Sequence, residues 1–403
     1  MCYSGQVVEI TGLGVGINYG QIANNLPSPS RVVVLLRSLN INRVKLYDAD
    51  QNVLQAFSNA NVEFIVGVGN EDVLNMTDPT KAQAWVKQHV QPHLPQTKIT
   101  CITVGNEVFS SNNTEVMSNV VPAMQNINKA LDSMGLSQQV NVSTAHSLSV
   151  LANSFPPSSG TFREDLAQYM EPLLEFHSET KSPFLLNAYP YFAYKGNPNE
   201  VSLDYVLFRP NQGIVDPITN LSYDNMLYAQ IDAVYSAIKV MGHSDIEVKI
   251  SETGWPSQGD FDEAGATAEN AGIYNMNLLK RVEEKQGTPI KPSVPIDVFV
   301  FALFNEDLKP GPTSERNYGL FYPDGKSVYN IGLQGYLPEL IVGSASGFPI
   351  KVSKRYYRFS DLHFGIYDLL LRTACKYNND HLRGEDQENG TLEAPSRSSD
   401  FSS

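Results

Sequence analysis

The chain has 403 residues, 42% hydrophobic and 18% charged, a globular composition with room for one large domain or two to three ordinary ones. Its 29 Lys and Arg stand against 43 Asp and Glu, and the resulting net charge of −14 repels nucleic acid and anionic membranes alike. The three cysteines, Cys2, Cys101 and Cys375, are far apart and odd in number, which excludes a disulfide scaffold and a thiolate zinc site.

Residues 1–13 read as an N-terminal extension. They lack the basic and long apolar regions of a secretory signal, because Glu9 interrupts the only apolar run. Five Asn-x-Ser/Thr triplets, at Asn75, Asn112, Asn141, Asn220 and Asn389, point the other way, toward secretion. Short apolar runs predict strands at 14–18, 43–47, 63–68, 99–104, 139–144, 184–187, 246–251 and 297–302. Each is nearly continuously apolar, as buried parallel strands are. Helical patterns fill the intervals at 30–40, 79–90, 116–134, 223–241 and 264–284. The first is led by Pro-Ser-Pro-Ser and the second by Thr77-Asp78-Pro79, each a cap candidate with proline in the first turn.

Strands starting about every 40 residues and alternating with helices predict a (β/α)8 TIM barrel over 14–337, with its site at the C-terminal strand ends. A doubly wound sheet competes, but its dinucleotide fingerprint fails. Counted from Gly12 or Gly14, the third glycine position holds Ile17 or Tyr19. Residues 338–403 form a C-terminal tail, polar and expected to be disordered over 378–403. No run approaches the roughly 18 apolar residues of a membrane span. Cys101, mid-strand, is expected to be a buried small hydrophobe.

The predicted strand ends are rich in carboxylates, amides and aromatics. They show no nucleophile elbow, no His-Glu-x-x-His, no Walker loop and no cysteine pair, and the seven histidines are scattered. What remains is carboxylate chemistry, which calls for neither metal nor cofactor. Glu107 and Glu252 each end an apolar strand directly, and cleaving a glycosidic bond takes two flanking carboxyls, one protonated and one ionised. Position alone leaves open that one or both are solvated loop residues or helix caps.

The local motifs go further. Gly16-Ile-Asn-Tyr-Gly20, Gly105-Asn-Glu-Val108, Ile250-Ser-Glu-Thr-Gly-Trp-Pro-Ser257, Phe301-Ala-Leu-Phe-Asn-Glu-Asp-Leu-Lys309 and Asn317-Tyr-Gly-Leu-Phe321 together resemble plant glycoside hydrolase family 17, the endo-β-1,3-glucanases. The resemblance runs in order over about 14–333. It implies a (β/α)8 barrel and retaining hydrolysis of internal β-1,3-glucosidic bonds, with Glu107 as acid/base and Glu252 as nucleophile, their carboxyls about 5–5.5 Å apart. Asn106 is then placed to bond a sugar 2-hydroxyl, while Glu306 and Lys309 match a charged pair of the family and, with Glu315, support the site.

Tyr47, Asn187, Tyr189, Phe192, Trp255 and Phe304 are the candidates for binding the sugar, together with Tyr191. Phe301, inside a strand, is expected to be core. The implied partner is a β-1,3-glucan such as callose or fungal wall glucan, met by a monomer outside the cell. The chain departs from the family's usual pattern in showing no recognisable leader, cysteine-rich glucan-binding module or lipid-anchor signal. A β-1,3-1,4-glucanase, a glucan transglycosylase and a non-catalytic glucan-binding protein are the alternatives.

Overall fold

The computed structural model describes residues 15–332, so the expected N-terminal extension and the tail after residue 337 lie outside the described residues. Eight parallel strands close into a barrel: β1 (Gly16–Asn18), β2 (Arg43–Lys45), β3 (Glu63–Val68), β4 (Lys98–Asn106), β5 (Asn141–Ser147), β8 (Phe184–Asn187), β11 (Val248–Thr253) and β12 (Val298–Val300), with β12 pairing back to β1. All eight coincide with predicted strands, and closure decides for the barrel over the doubly wound sheet. Two small antiparallel hairpins, β6 (Leu151–Asn153) with β7 (Thr161–Phe162) and β9 (Ile214–Val215) with β10 (Ser222–Tyr223), sit in the connections after β5 and β8.

The helices are α1 (Pro29–Ser38), α2 (Gln51–Ala56), α3 (Pro79–His89), α4 (Thr114–Ser133), α5 (Ala167–Thr180), α6 (Pro190–Gly196), α7 (Leu203–Val206), α8 (Met226–Val240) and α9 (Ala268–Glu283). Their starts follow the local chemistry. Asp78 accepts the N–H of Thr80 at 2.8 Å ahead of Pro79, and Asn113 accepts that of Val116 at 3.1 Å. Each helix turns an apolar stripe to the strands, such as Val32, Leu35 and Leu36 of α1 or Val120, Met124 and Ile127 of α4. Among the described residues, no helix is long and apolar enough to cross a membrane.

Inside the barrel, a small apolar layer of Ile65, Cys101 and Phe299 lies near the N-terminal strand ends. Asp297 there pairs with Arg43 and, at 3.0 Å, with Lys249. Cys101 is buried as expected, its thiol pushed up to about 12 by burial. The polar groups that carry chemistry collect at the opposite end.

Two buried histidines make the fold acid-sensitive. His146 on β5 is stacked between Phe109 and Phe184 with neither ring nitrogen hydrogen-bonded, and His177 on α5 meets Ser182 through Nδ1 at 2.8 Å. Burial pushes both down to about 3. A histidine held neutral in the fold protonates more readily when unfolded, so its stabilisation is whole above pH 6.5 and is lost as pH falls toward 3. We expect unfolding free energy to drop by about 1.4 kcal/mol per pH unit per histidine below pH 6. Denaturant melts from pH 7 to pH 4.5 check this, and His146→Leu should flatten the slope by about half. An unchanged slope in that variant would remove His146 from the account.

Candidate active site

The C-terminal end of β4 turns sharply. Gly105, at φ +73°, takes a conformation that strains any side chain, and a Cβ there would meet Val108 at 2.6 Å. Glu107 follows at φ +52°, a left-handed conformation that costs a residue with a side chain roughly 1–2 kcal/mol. Two contacts hold it there. Its N–H donates to the Ala145 carbonyl at 2.8 Å, and the Asn70 amide brackets the preceding peptide, accepting the Asn106 N–H at 2.7 Å and donating to the Asn106 carbonyl at 3.0 Å. The turn lifts the Glu107 carboxyl out of the ladder and over the barrel mouth.

Glu252, on β11, is buried. Its Oε1 accepts from Lys45 Nζ at 2.8 Å and its Oε2 from the Tyr189 hydroxyl at 2.8 Å. Asn187 bridges the two carboxylates' neighbourhoods. Its Nδ2 donates to Glu107 Oε1 at 2.8 Å, while its Oδ1 accepts from the hydroxyl of Ser251, next to Glu252, at 2.6 Å. Asn106 joins more weakly, its Oδ1 lying 3.5 Å from the same Asn187 nitrogen.

The surroundings drive the two carboxyls apart. Burial and then the charge of Glu252 push Glu107 up, so that it keeps its proton to higher pH. Burial also works to raise Glu252, but the Lys45 ammonium and the hydroxyl donors outweigh it and hold it below the ordinary range. Two carboxyls tuned in opposite directions can divide proton donation and nucleophilic attack between them.

Around them the expected residues divide. Glu306 is buried against the β1–α1 connection, its Oε1 accepting the Ile22 N–H at 2.8 Å; a Cβ on Gly20 would strike that carboxyl at 2.4 Å. Burial raises Glu306, with Lys309 opposing. The ion-pair partner of Lys309 is Glu315, at 3.6 Å, rather than Glu306, and its ammonium sits 4.1 Å from the centre of the Phe301 ring. Phe301 is core, as expected, yet its ring is flanked by Tyr47, Tyr189 and Tyr318 and so backs the cleft wall. Tyr47 and Tyr189 are half-buried, and Phe192, 47% exposed beside Tyr189, opens to solvent.

Three sugar-binding expectations are corrected. Trp255 is 0% exposed, packed on Tyr191, Tyr194 and Tyr274 with its Nε1 donating to the Gly265 carbonyl at 2.8 Å, and so presents no face to a sugar. Phe304 is buried edge-on to Tyr19, and Tyr191 is buried beneath Phe192. Each lies under the mouth as a support.

Sequence reasoning missed Lys45, and it marked Asn70 only as a polar residue at a strand end, without a role. Lys45 had a signal: a lysine inside Val44-Lys45-Leu46, one alternation before Tyr47, must point into the barrel and needs a buried anion. It also missed Glu263, 4% exposed in the β11–α9 connection. Its carboxylate accepts from Lys195 Nζ at 2.7 Å, Ser314 Oγ at 2.6 Å, Ser314 N at 2.9 Å and Asp260 N at 3.0 Å. Burial opposes the charge there, but these donors hold the group down to about 2. Three connections meet on that single carboxylate.

Residues 15–333 match the sequence profile of glycosyl hydrolases family 17. The chain belongs to that family. Among family 17 relatives, Glucan endo-1,3-beta-glucosidase 14 of Arabidopsis thaliana is 66% identical over 337 residues, covering 83% of this chain and 86% of the relative. Glucan endo-1,3-beta-glucosidase 11 of the same plant is 57% identical, covering 85% and 80%. The solved structure of CJP38, a beta-1,3-glucanase and allergen of Cryptomeria japonica pollen, is 42% identical, with a TM-score of 0.76 over 79% of this chain and 99% of its own. One of two plant beta-glucan endohydrolases with distinct substrate specificities superposes with a TM-score of 0.73 at 36% identity, covering 78% of this chain and 99% of its own.

Proposed function

We propose that this family 17 glycosyl hydrolase cleaves internal β-1,3-glucosidic bonds of glucans with retention, acting as a monomer outside the cell. The observation that carries the reading is the pair of oppositely tuned carboxyls, Glu107 pushed up and Glu252 held down, with Asn187 bonded to Glu107 and to Ser251 beside Glu252. Glu252 attacks the anomeric carbon while Glu107 gives its proton to the departing oxygen. The C–O bond breaks and a glycosyl ester forms on Glu252. Water then adds to that carbon, Glu107 takes its proton, and the ester bond returns its electrons to Glu252.

In this reading the Asn106 amide bonds the sugar 2-hydroxyl, and the rings of Tyr189 and Phe192 take a flat apolar sugar face. The names of the relatives support β-1,3-glucan as the polymer. The exposed side chains of Asn75, Asn112, Asn141 and Asn220 are compatible with glycosylation during export.

The test is digestion of a linear β-1,3-glucan followed by proton NMR and chain-length analysis. The expected first product is a mixture of oligosaccharides with the β-anomer at the new reducing end. Release of single glucose units, or of the α-anomer, would overturn the endo-acting or the retaining part respectively. Greater activity on mixed-linkage glucan would move the specificity to the β-1,3-1,4 alternative.

The burial of Trp255 gives a further expectation. Trp255→Phe should cost about 1–3 kcal/mol of stability, through lost packing and the lost bond to Gly265. The KM for the glucan should stay within about twofold, measured beside thermal melts. A raised KM at unchanged stability would return Trp255 to the cleft.

A further inference from the structure

Three serine hydroxyls gather on the rim of the mouth beside Glu107. Ser110 Oγ lies 2.8 Å from Ser147 Oγ and 3.0 Å from Ser149 Oγ, and the last two are 2.6 Å apart. Ser110 and Ser149 are exposed and Ser147 is half-buried. Their placement follows from the barrel. Ser110 follows Glu107 by one turn, its N–H donating to the Glu107 carbonyl at 3.0 Å. Ser147 ends β5 as the register partner of Asn187 on β8, the residue whose amide bonds Glu107. Side chains of register partners leave a sheet on the same face, so Ser147 opens to the mouth beside Asn187.

The hydroxyl chemistry leaves capacity for a ligand. Three hydroxyls in a closed triangle use one donor and one acceptor site each. The Ser149 N–H, 3.2 Å from Ser147 Oγ, takes that oxygen's second acceptor site. Ser110 and Ser149 each keep one lone pair facing solvent. Two fixed acceptors a few ångströms apart suit the 2- and 4-hydroxyls that flank the linked oxygen of a β-1,3-glucosyl unit, rather than a carboxylate or phosphate, which brings no donors.

The side of the substrate is set by Glu107. The sugar whose oxygen is protonated must lie against that carboxyl, while Glu252 approaches the anomeric carbon from the other face. Round the barrel, Glu252 on β11 comes first, then Asn187 on β8, then Ser147 on β5 and Glu107 just after β4. The serine group is thus on the acid's side of the mouth, away from the nucleophile. Resting on the hydrolase reading above, the geometry points to Ser110, Ser147 and Ser149 as a subsite for the leaving glucosyl unit, which is also where an acceptor sugar would bind in place of water.

The experiment compares kcat/KM for a β-1,3-linked glucose pentamer with kcat/KM for an aryl β-1,3-diglucoside, whose leaving group offers no hydroxyl. In the Ser110→Ala/Ser149→Ala double variant, which keeps the Ser147 cap of the short turn at 148–150, the ratio of pentamer to aryl glycoside should fall about tenfold, the worth of two neutral hydrogen bonds. The triple variant with Ser147→Ala should fall at least as far. A ratio that stays at the wild-type value overturns the subsite, whether both rates are kept or both drop together as a folding defect would make them. A wild type inert on both substrates overturns the hydrolase reading and the subsite with it. A wild type active on both, with an unmoved ratio in the variants, overturns the subsite alone.

Discussion

Glu252→Ala is expected to lower kcat on a linear β-1,3-glucan by about two to four orders of magnitude, and Glu107→Ala by a similar factor. The two losses are chemically distinct. Without Glu252 no ester forms, and azide in the vacated space should attack the anomeric carbon itself and yield the α-glycosyl azide. Without Glu107 the ester still forms from an aryl glycoside with a good leaving group, but water is no longer deprotonated. Azide, which needs no base, should then release the β-glycosyl azide. Rates with and without azide and the anomeric form of the azide product check both assignments. The same azide anomer from both variants, or full activity in either, would overturn the division of roles.

Lys45→Met should produce the second large effect. Lys45 is 1% exposed and 2.8 Å from Glu252, where the attraction is about 6 kcal/mol at an effective dielectric of 20. Desolving each ion costs several kcal/mol, so the pair adds little net stability and its value is in fixing the charge of Glu252. Removing the lysine leaves a buried carboxylate with the Tyr189 hydroxyl but no countercharge. We expect a loss of about 3 kcal/mol in stability at pH 7 and about a hundredfold in kcat/KM at pH 5. The sign on pH follows from the lysine's effect: it lowers Glu252 strongly and Glu107 less, so its removal moves the acid limb of kcat/KM to higher pH and the alkaline limb, set by Glu107, the same way by a smaller step. The bell narrows. A variant that loses rate at all pH values alike would reduce Lys45 to packing.

The strands were legible because most of their residues are buried on both faces and most read as nearly continuous apolar runs; β8 and β12 hold no exposed residue. The helix α5 was not: Pro172 lies inside it and no side chain caps its start, whereas α4, which also holds a proline, Pro122, is announced by the Asn113 cap. Glu107 and Glu252 stood out at strand ends, but nothing along the chain tells which aromatic near a strand end faces a ligand and which lies under a loop. Phe192 and Trp255 occupy comparable places in the sequence, and only the connection that folds over Trp255 separates them. The serine cluster escaped notice for a similar reason: Ser110 and Ser147 are 37 positions apart and meet only through the pairing of β4 with β5.

Glu263 bears on how the cleft can change over evolutionary time. Because the α6 lysine, the β11–α9 connection and the turn at Ser314 are fastened to one carboxylate below the rim, the wall is tied together from beneath while its crest carries none of those bonds. Phe261, two residues before Glu263, is fully exposed on that crest. The side chain there is free to drift, because the turn is held by Asp260 and Glu263 on either side of it and not by Phe261.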